Sequence, residues 1–116
     1  MNYTMLIYQS PEDFAARTDP QKREAFWGGF LPYVKALIDA GIVVASGGLE
    51  PPETATTVRR VDQQRHVQDG PYADTKEQLG GFFVINVPDL DAALDWAGRC
   101  PTGSAIEVRP NLPPMK

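Results

Sequence analysis

From Tyr3 to Tyr8 the chain reads YTMLIY, a run of bulky and β-branched side chains that stops at Ser10-Pro11 and predicts a first, buried strand. Ser10-Pro11-Glu12-Asp13 carries the signals of a helix start, with Ser10 as N-cap and Pro11 at the first helical position. Asp19-Pro20 repeats them for a longer helix. There Phe26, Phe30, Tyr33, Val34, Leu37 and Ile38 recur at helical spacing and form one apolar stripe, and Gly41 stands where a C-terminal cap belongs. Pro32 interrupts the stripe and predicts a kink or break around WGGFLP.

Past Gly41, IVVAS reads as a second strand, which GGLEPPE is too rich in glycine and proline to continue. TATTVRRVD alternates like a strand with one wet face, and RHVQD is its hairpin partner across Asp62-Gln63-Gln64, forming the most polar part of the sheet. GGFFVINV is the clearest strand, closed by Pro88-Asp89. Asp89 then caps a helix on which Leu90, Ala93, Leu94 and Ala97 follow the helical period. SAIEVRP is the last strand, and residues 110–116 form an extended C-terminal tail. This order predicts an α+β, ferredoxin-like domain over residues 1–116: one antiparallel sheet with two main helices on one face.

Two helices cover only one face of such a sheet. In FFVI, however, Phe82 and Val84 point to one side while Phe83 and Ile85 point to the other, and YTMLIY is apolar on both sides. The second apolar face requires a cover, and a homodimer with its sheets face to face supplies one.

With 116 residues there is room for one core of moderate size. The formal charge of -4 argues against a phosphate backbone or an anionic membrane surface as partner. Cys100 is the only cysteine, so there is no internal disulfide and no zinc-ligand spacing, which fits a reducing cytoplasm. MNYTMLIYQS has no basic leader region, and its apolar run falls short of the roughly 18 residues of a membrane span. A soluble, cytoplasmic protein is expected.

GGLEPPETATTVRR, followed by DGPYADTKEQLGGFFVINVPDLDAALDWAGRCP and IEVRP, resembles the YCII-related family, in its DGPF-domain branch. The matching motifs cover roughly half of the chain in the family's own order. The resemblance implies a ferredoxin-like subunit of a dimeric α/β barrel, small, bacterial and without a cofactor. Members of this branch are often encoded near alternative sigma factors, and some relatives in the wider family carry a His-Asp pair proposed for acid–base chemistry, one of them a dehydrochlorinase. Tyr72 replaces the phenylalanine of the name-giving motif, keeping the ring and adding a hydroxyl.

Candidate site residues concentrate in the stretch QDGPYADTKEQLGG. Asp69-Gly70-Pro71 ends a strand abruptly; its aspartate either shapes an Asx-turn or faces a cleft as acid, base or ligand contact. Thr75-Lys76-Glu77-Gln78 fits a capping box for a short helix, and Lys76 and Glu77 either stay solvated or reach over a pocket beside Asp69 and Tyr72. Gly80-Gly81 permits close approach of another strand. His66, the only histidine, lies three residues before Asp69 and so on the opposite face of an extended strand, which makes it a hairpin surface residue unless a bulge intervenes. Glu107 and Arg109 share a face of the last strand as an ion pair or a polar pocket wall. Ser46 before Gly47-Gly48 reads as turn chemistry, and Trp27, Tyr33 and Trp96 as core or interface. Two functions follow: a small-molecule binding or accessory protein with a pocket beside Asp69 to Glu77, or a cofactor-free lyase or isomerase using Asp69 with Tyr72, Lys76 or His66 as proton carriers. A regulatory partner of a transcription factor is a third reading, resting on family genome context alone.

Overall fold

The computed structural model describes residues 1–114. Its order is β1 (Asn2–Gln9), α1 (Pro11–Ala16), α2 (Arg23–Asp39), β2 (Val43–Gly48), a 3-10 turn (Pro52–Thr54), β3 (Thr56–Val61), β4 (Gln64–Asp69), β5 (Gln78–Asn86), α3 (Leu90–Gly98) and β6 (Ala105–Pro110). The main sheet runs β2-β5-β1-β6, and every neighbouring pair is antiparallel. This is the ferredoxin-like arrangement, with both main helices on one face.

Alternation along the two central strands decides what is buried. Tyr3, Met5, Ile7 and Gln9 of β1 and Phe83 and Ile85 of β5 point toward the helices and are buried. Tyr33 and Leu37 of α2 and Ala93 and Ala97 of α3 close over them. The Tyr33 hydroxyl donates a 2.6 Å hydrogen bond to the Trp96 carbonyl oxygen and ties the helices together. Alanines let α3 lie close to the sheet, so Leu90 and Leu94 stay 46% and 48% exposed instead of joining the core, and Ile38 at the end of the α2 stripe is 61% exposed.

Helix starts follow the sequence signals in two places. Ser10 Oγ accepts from Asp13 N–H, and the Asp13 carboxylate accepts from Ser10 N–H. At α3, Asp89 Oδ1 accepts from Ala92 N–H. The Asp19-Pro20 signal instead forms a turn, in which the Asp19 carboxylate accepts from Gln21 N–H, and α2 begins at Arg23. Pro32 does not break α2, which continues to Asp39. Its ring and the carbonyl of Gly28 that loses a donor both lie on the exposed side, where solvent can take that bond.

Two strand expectations need correction. β2 continues through Gly47 and Gly48, because those residues pair with Phe82 and Gly81. The β3–β4 hairpin is not part of the main sheet but a separate two-stranded ribbon, turned away after Pro51-Pro52, with Asp62 and Gln63 at φ 51° and 66° forming its two-residue turn. The tail leaves β6 with the Asn111 N–H bonded to the Asn2 carbonyl oxygen and Asn111 Oδ1 accepting from the Thr4 hydroxyl. Residues 115–116 lie outside the described residues.

The far face of the sheet carries Thr4, Leu6 and Tyr8 beside Phe82 and Val84, half-buried and without a covering layer among the described residues. The molecule is accordingly thin, 19 Å in its shortest dimension, and its radius of gyration of 16.0 Å exceeds the roughly 13 Å expected for a compact domain of this length.

Candidate functional site

The stretch after β4 is open to solvent. β4 is regular from Gln64 to Asp69, so His66, opposite Arg59, and Asp69, opposite Thr56, point to opposite faces and form no dyad. Gly70, at φ 95°, turns the chain; its N–H donates to the Ala55 carbonyl oxygen, and its own carbonyl accepts from the Thr57 hydroxyl, so backbone and Thr57 hold the turn. Tyr72 is 73% exposed with the Arg59 guanidinium 5.7 Å from its ring centre, and Lys76 and Glu77 are exposed. No helix forms at Thr75. Its hydroxyl donates to the Glu77 carbonyl oxygen, while the Gln78 amide donates to the carbonyl oxygens of Ala73 and Thr75, which fixes a compact turn in place of the expected capping box.

Pro71 and Gln78 also line a shallow recess against Leu49, Glu50 and Pro51. Glu107 and Arg109 do pair, at 2.7 Å, on the open face of the sheet, and Tyr8 donates to Glu107 at 3.3 Å. The Arg109 hydrogen bond holds the Glu107 carboxyl below its ordinary value and raises the guanidinium in turn. Asp69 to Glu77 and the Glu107–Arg109 pair therefore do not converge on one enclosed site.

A partly open cleft lies elsewhere, between α2 and the β2–β5 side of the sheet, with a volume of about 280 Å³. One wall is aromatic: Phe26, Trp27 and Phe30 of α2 with Phe83 of β5, their rings in mutual contact at centroid distances of 4.9 to 6.4 Å. The opposite edge is backbone and a hydroxyl, from Ser46-Gly47-Gly48 and Gly80-Gly81. At the inner end stand Gln9 and Arg17.

Strand irregularity creates that end. β5 places an extra residue, Gly80, between the pairs Ile7–Gly81 and Tyr8–Leu79. A Cβ at Gly80 would lie 2.7 Å from Gln9 Cδ and 2.8 Å from Arg17 Nη2, so the missing side chain is the space these two groups occupy. Gln9, 3% exposed, receives a hydrogen bond from Arg17 Nη2 at Oε1 and donates through Nε2 to Thr102 Oγ1. Arg17 also donates to the carbonyl oxygens of Gly80, at 2.9 Å, and Leu49, and its guanidinium stacks 4.7 Å from the Phe14 ring centre. Trp27 Nε1 donates to the Arg17 carbonyl oxygen at 2.9 Å, anchoring the wall to the polar end.

Arg17 is the only ionisable side chain among the described residues that line the cavity. Burial pulls its guanidinium below the ordinary value, with Glu50 and Asp13 pulling the other way from outside hydrogen-bond contact. Such a site can hold a flat apolar body between rings and strand backbone, with a fixed guanidinium charge and its one remaining Nη1–H at the end for an oxygen.

None of Gln9, Arg17, Ser46 and Trp27 stands out locally in the sequence as a ligand contact. One signal was available: Gln9 falls at the inward position of the alternation Tyr3, Met5, Ile7, Gln9, where a polar side chain needs a buried partner. Among the described residues, no three His, Cys, Asp or Glu side chains cluster as metal ligands, and no helix is long and apolar enough to cross a membrane.

Comparison with known proteins agrees with the fold. The YCII-related domain matches residues 1–112. An uncharacterised protein of Rhizobium meliloti is 32% identical over 114 residues, covering 95% of this chain and 91% of that protein. A segment of 73 residues is 37% identical to zinc finger C3HC-type protein 1 of Mus musculus, covering 63% of this chain but 14% of the mouse protein. Among solved structures, 5-chloro-2-hydroxyhydroquinone dehydrochlorinase of Burkholderia phenoliruptrix AC1100, in complex with 2,5-dihydroxybenzoquinone, superposes with a TM-score of 0.52 at 14% identity, covering 97% of this chain and 94% of that one.

Proposed function

We propose that this chain, which belongs to the YCII-related family, is a small-molecule binding protein that acts as a homodimer, with the cavity between α2 and the β2–β5 edge as its binding site. The observation that carries the reading is the composition of that cavity: four aromatic rings in contact, facing strand backbone, with Gln9 and Arg17 held rigidly at one end. Apolar walls with a few fixed polar groups are what small-ligand sites need. The fold neighbour, which holds one planar oxygenated ring, lends the reading support at the level of fold.

Dimerisation is supported by the uncovered face. Leu6, Phe82 and Val84 lie side by side on it, and a second copy presenting the same face would cover them with isologous symmetry. Acid–base turnover through Asp69 lacks comparable support, because Asp69 stands on the exposed hairpin end and Arg17, permanently charged, is the only ionisable group among the described residues that line the cavity.

A thermal-shift screen of small soluble compounds tests the proposal, since a ligand that binds only the folded state raises the melting temperature. Compounds that stabilise the protein should lose that effect in Ser46→Trp, which fills the cavity from an exposed strand position. Stabilisation retained in full by that variant would place binding elsewhere.

A further inference from the structure

Among the described residues no carboxylate hydrogen-bonds the Arg17 guanidinium, and Glu50 and Asp13 act on it only from beyond hydrogen-bond reach. Its three hydrogen-bond acceptors, Gln9 Oε1, Gly80 O and Leu49 O, are all neutral oxygens, and the ion pairs found among the described residues are Lys35–Asp39 and Glu107–Arg109. A guanidinium carries five N–H donors. Arg17 spends three on those acceptors, two from Nη2 and one from Nη1, which leaves the second Nη1 hydrogen for a ligand, while Nε is cut off from solvent and has no acceptor among the described residues. A partly desolvated charge of this kind gains from a counter-ion far more than a surface arginine does, because the surrounding medium screens it less.

Its surroundings restrict what that counter-ion can be. The Trp27 indole N–H is already committed to the Arg17 carbonyl oxygen, so the ring offers its apolar surface to the cavity. Phe26, Phe30 and Phe83 do the same. A volume of about 280 Å³ sits at the low end for ligand sites, enough for one substituted ring. A free inorganic anion would leave the aromatic wall unused, and a neutral ring would leave the guanidinium with no anion in hydrogen-bond contact.

From this arrangement we infer that the cavity selects a planar, single-ring organic anion, with a carboxylate, phenolate or enolate oxygen on Arg17 and the ring against Trp27 and Phe30. The inference rests on the binding site proposed above and deepens it by naming the ligand's chemistry. Gln9 and Gly80 act as positioning residues: they fix the plane of the guanidinium before the ligand arrives.

The test uses two probes of nearly the same shape, benzoate and benzamide, the first anionic and the second neutral at pH 7. Trp96→Phe leaves Trp27 as the only tryptophan and preserves the Trp96 carbonyl that Tyr33 uses, so fluorescence then reports on the cavity wall alone. Benzoate should quench or shift Trp27 emission with an affinity about tenfold or more above that of benzamide, the scale of one charge-assisted hydrogen bond. Arg17→Gln should remove the difference, and Arg17→Lys, which keeps the charge but loses the fork, should restore part of it. Equal affinity for both probes in the parent protein would overturn the anion inference while leaving the cavity as a binding site. No response of Trp27 to either probe up to tens of millimolar, the weak limit for a compound of this size, would overturn the binding site as well.

Discussion

Arg17 Nη2 donates to both the Gln9 side-chain oxygen and the Gly80 carbonyl oxygen, so one guanidinium locks the end of β1 to the bulge of β5. Gln9 and Arg17, eight residues apart, here meet Gly80, 63 residues beyond Arg17, and the cavity opens from this point. Gly80→Ala tests the relationship, because the added Cβ would meet Gln9 Cδ at 2.7 Å and Arg17 Nη2 at 2.8 Å, and both groups would have to move. The substitution should destabilise the fold by about 1–3 kcal/mol in denaturant titration, the usual range for overpacking. It should also weaken binding of any cavity ligand.

The Tyr33 hydroxyl bond to the Trp96 carbonyl joins α2 to α3 over the core. Tyr33→Phe keeps the ring and removes the hydroxyl donor, leaving the Trp96 carbonyl only its bond from Arg99 N–H, at an expected cost of about 1 kcal/mol. Burial raises the Tyr33 pKa well above its ordinary 10.0, so the unfolded chain ionises first. Stability from this group is therefore complete below pH 10 and falls as the pH rises beyond it. Melting curves from pH 8 to 11 should steepen above pH 10 in the parent and less so in Tyr33→Phe; Cys100, raised by burial from 9.0, adds a decline of the same sign to both proteins.

Sedimentation at micromolar concentration should give twice the chain mass of 12.8 kDa. Leu6→Asp should give the monomer, since it puts a carboxylate on the uncovered face opposite Glu107 and doubles that charge across a two-fold axis. A monomeric parent at all concentrations would remove the homodimer from the proposal.

The main architecture was legible because it depends on local signals. Bulky runs marked β1 and β5, the two-sided pattern of Phe82 to Ile85 matched the two faces of the sheet, and Ser10 and Asp89 capped α1 and α3 as their side chains predict. The hairpin was legible as a hairpin but not as a separate ribbon, because pairing beyond β4 is a tertiary choice. The cavity was hidden for the same reason. Arg17 follows a short helix, where an arginine is normally solvated, and its bonds to Gln9, Leu49 and Gly80, set by how the strands pack, hold it inward. Charge and turn residues are dense from Asp69 through Glu77, which points to a site there, yet in the structure that density solves a turn held by Gly70, Thr75 and Gln78.

Gln63 holds a left-handed backbone, φ 66°, in the second position of the hairpin turn. An L-residue with a Cβ pays sterically there, and Asp-Gly is the preferred pair for this geometry. Gln63→Gly should stabilise the ribbon by about 0.5–1 kcal/mol. Slower amide exchange across Val58 and Val67, which face each other in register, is the expected readout, with the main sheet unchanged.

The central claim is the location of the binding site, and hydrogen exchange measured with and without the compound that most raises the melting temperature tests it most directly. The account predicts slowed exchange at the end of β1 and Arg17, across Phe26 to Val34, and at Ser46 to Gly48 and Gly80 to Phe83, the segments that line the cavity. Slowing confined to Asp69 through Glu77 and to Glu107 through Arg109, with none around Trp27, would contradict it and return the site to the exposed turn.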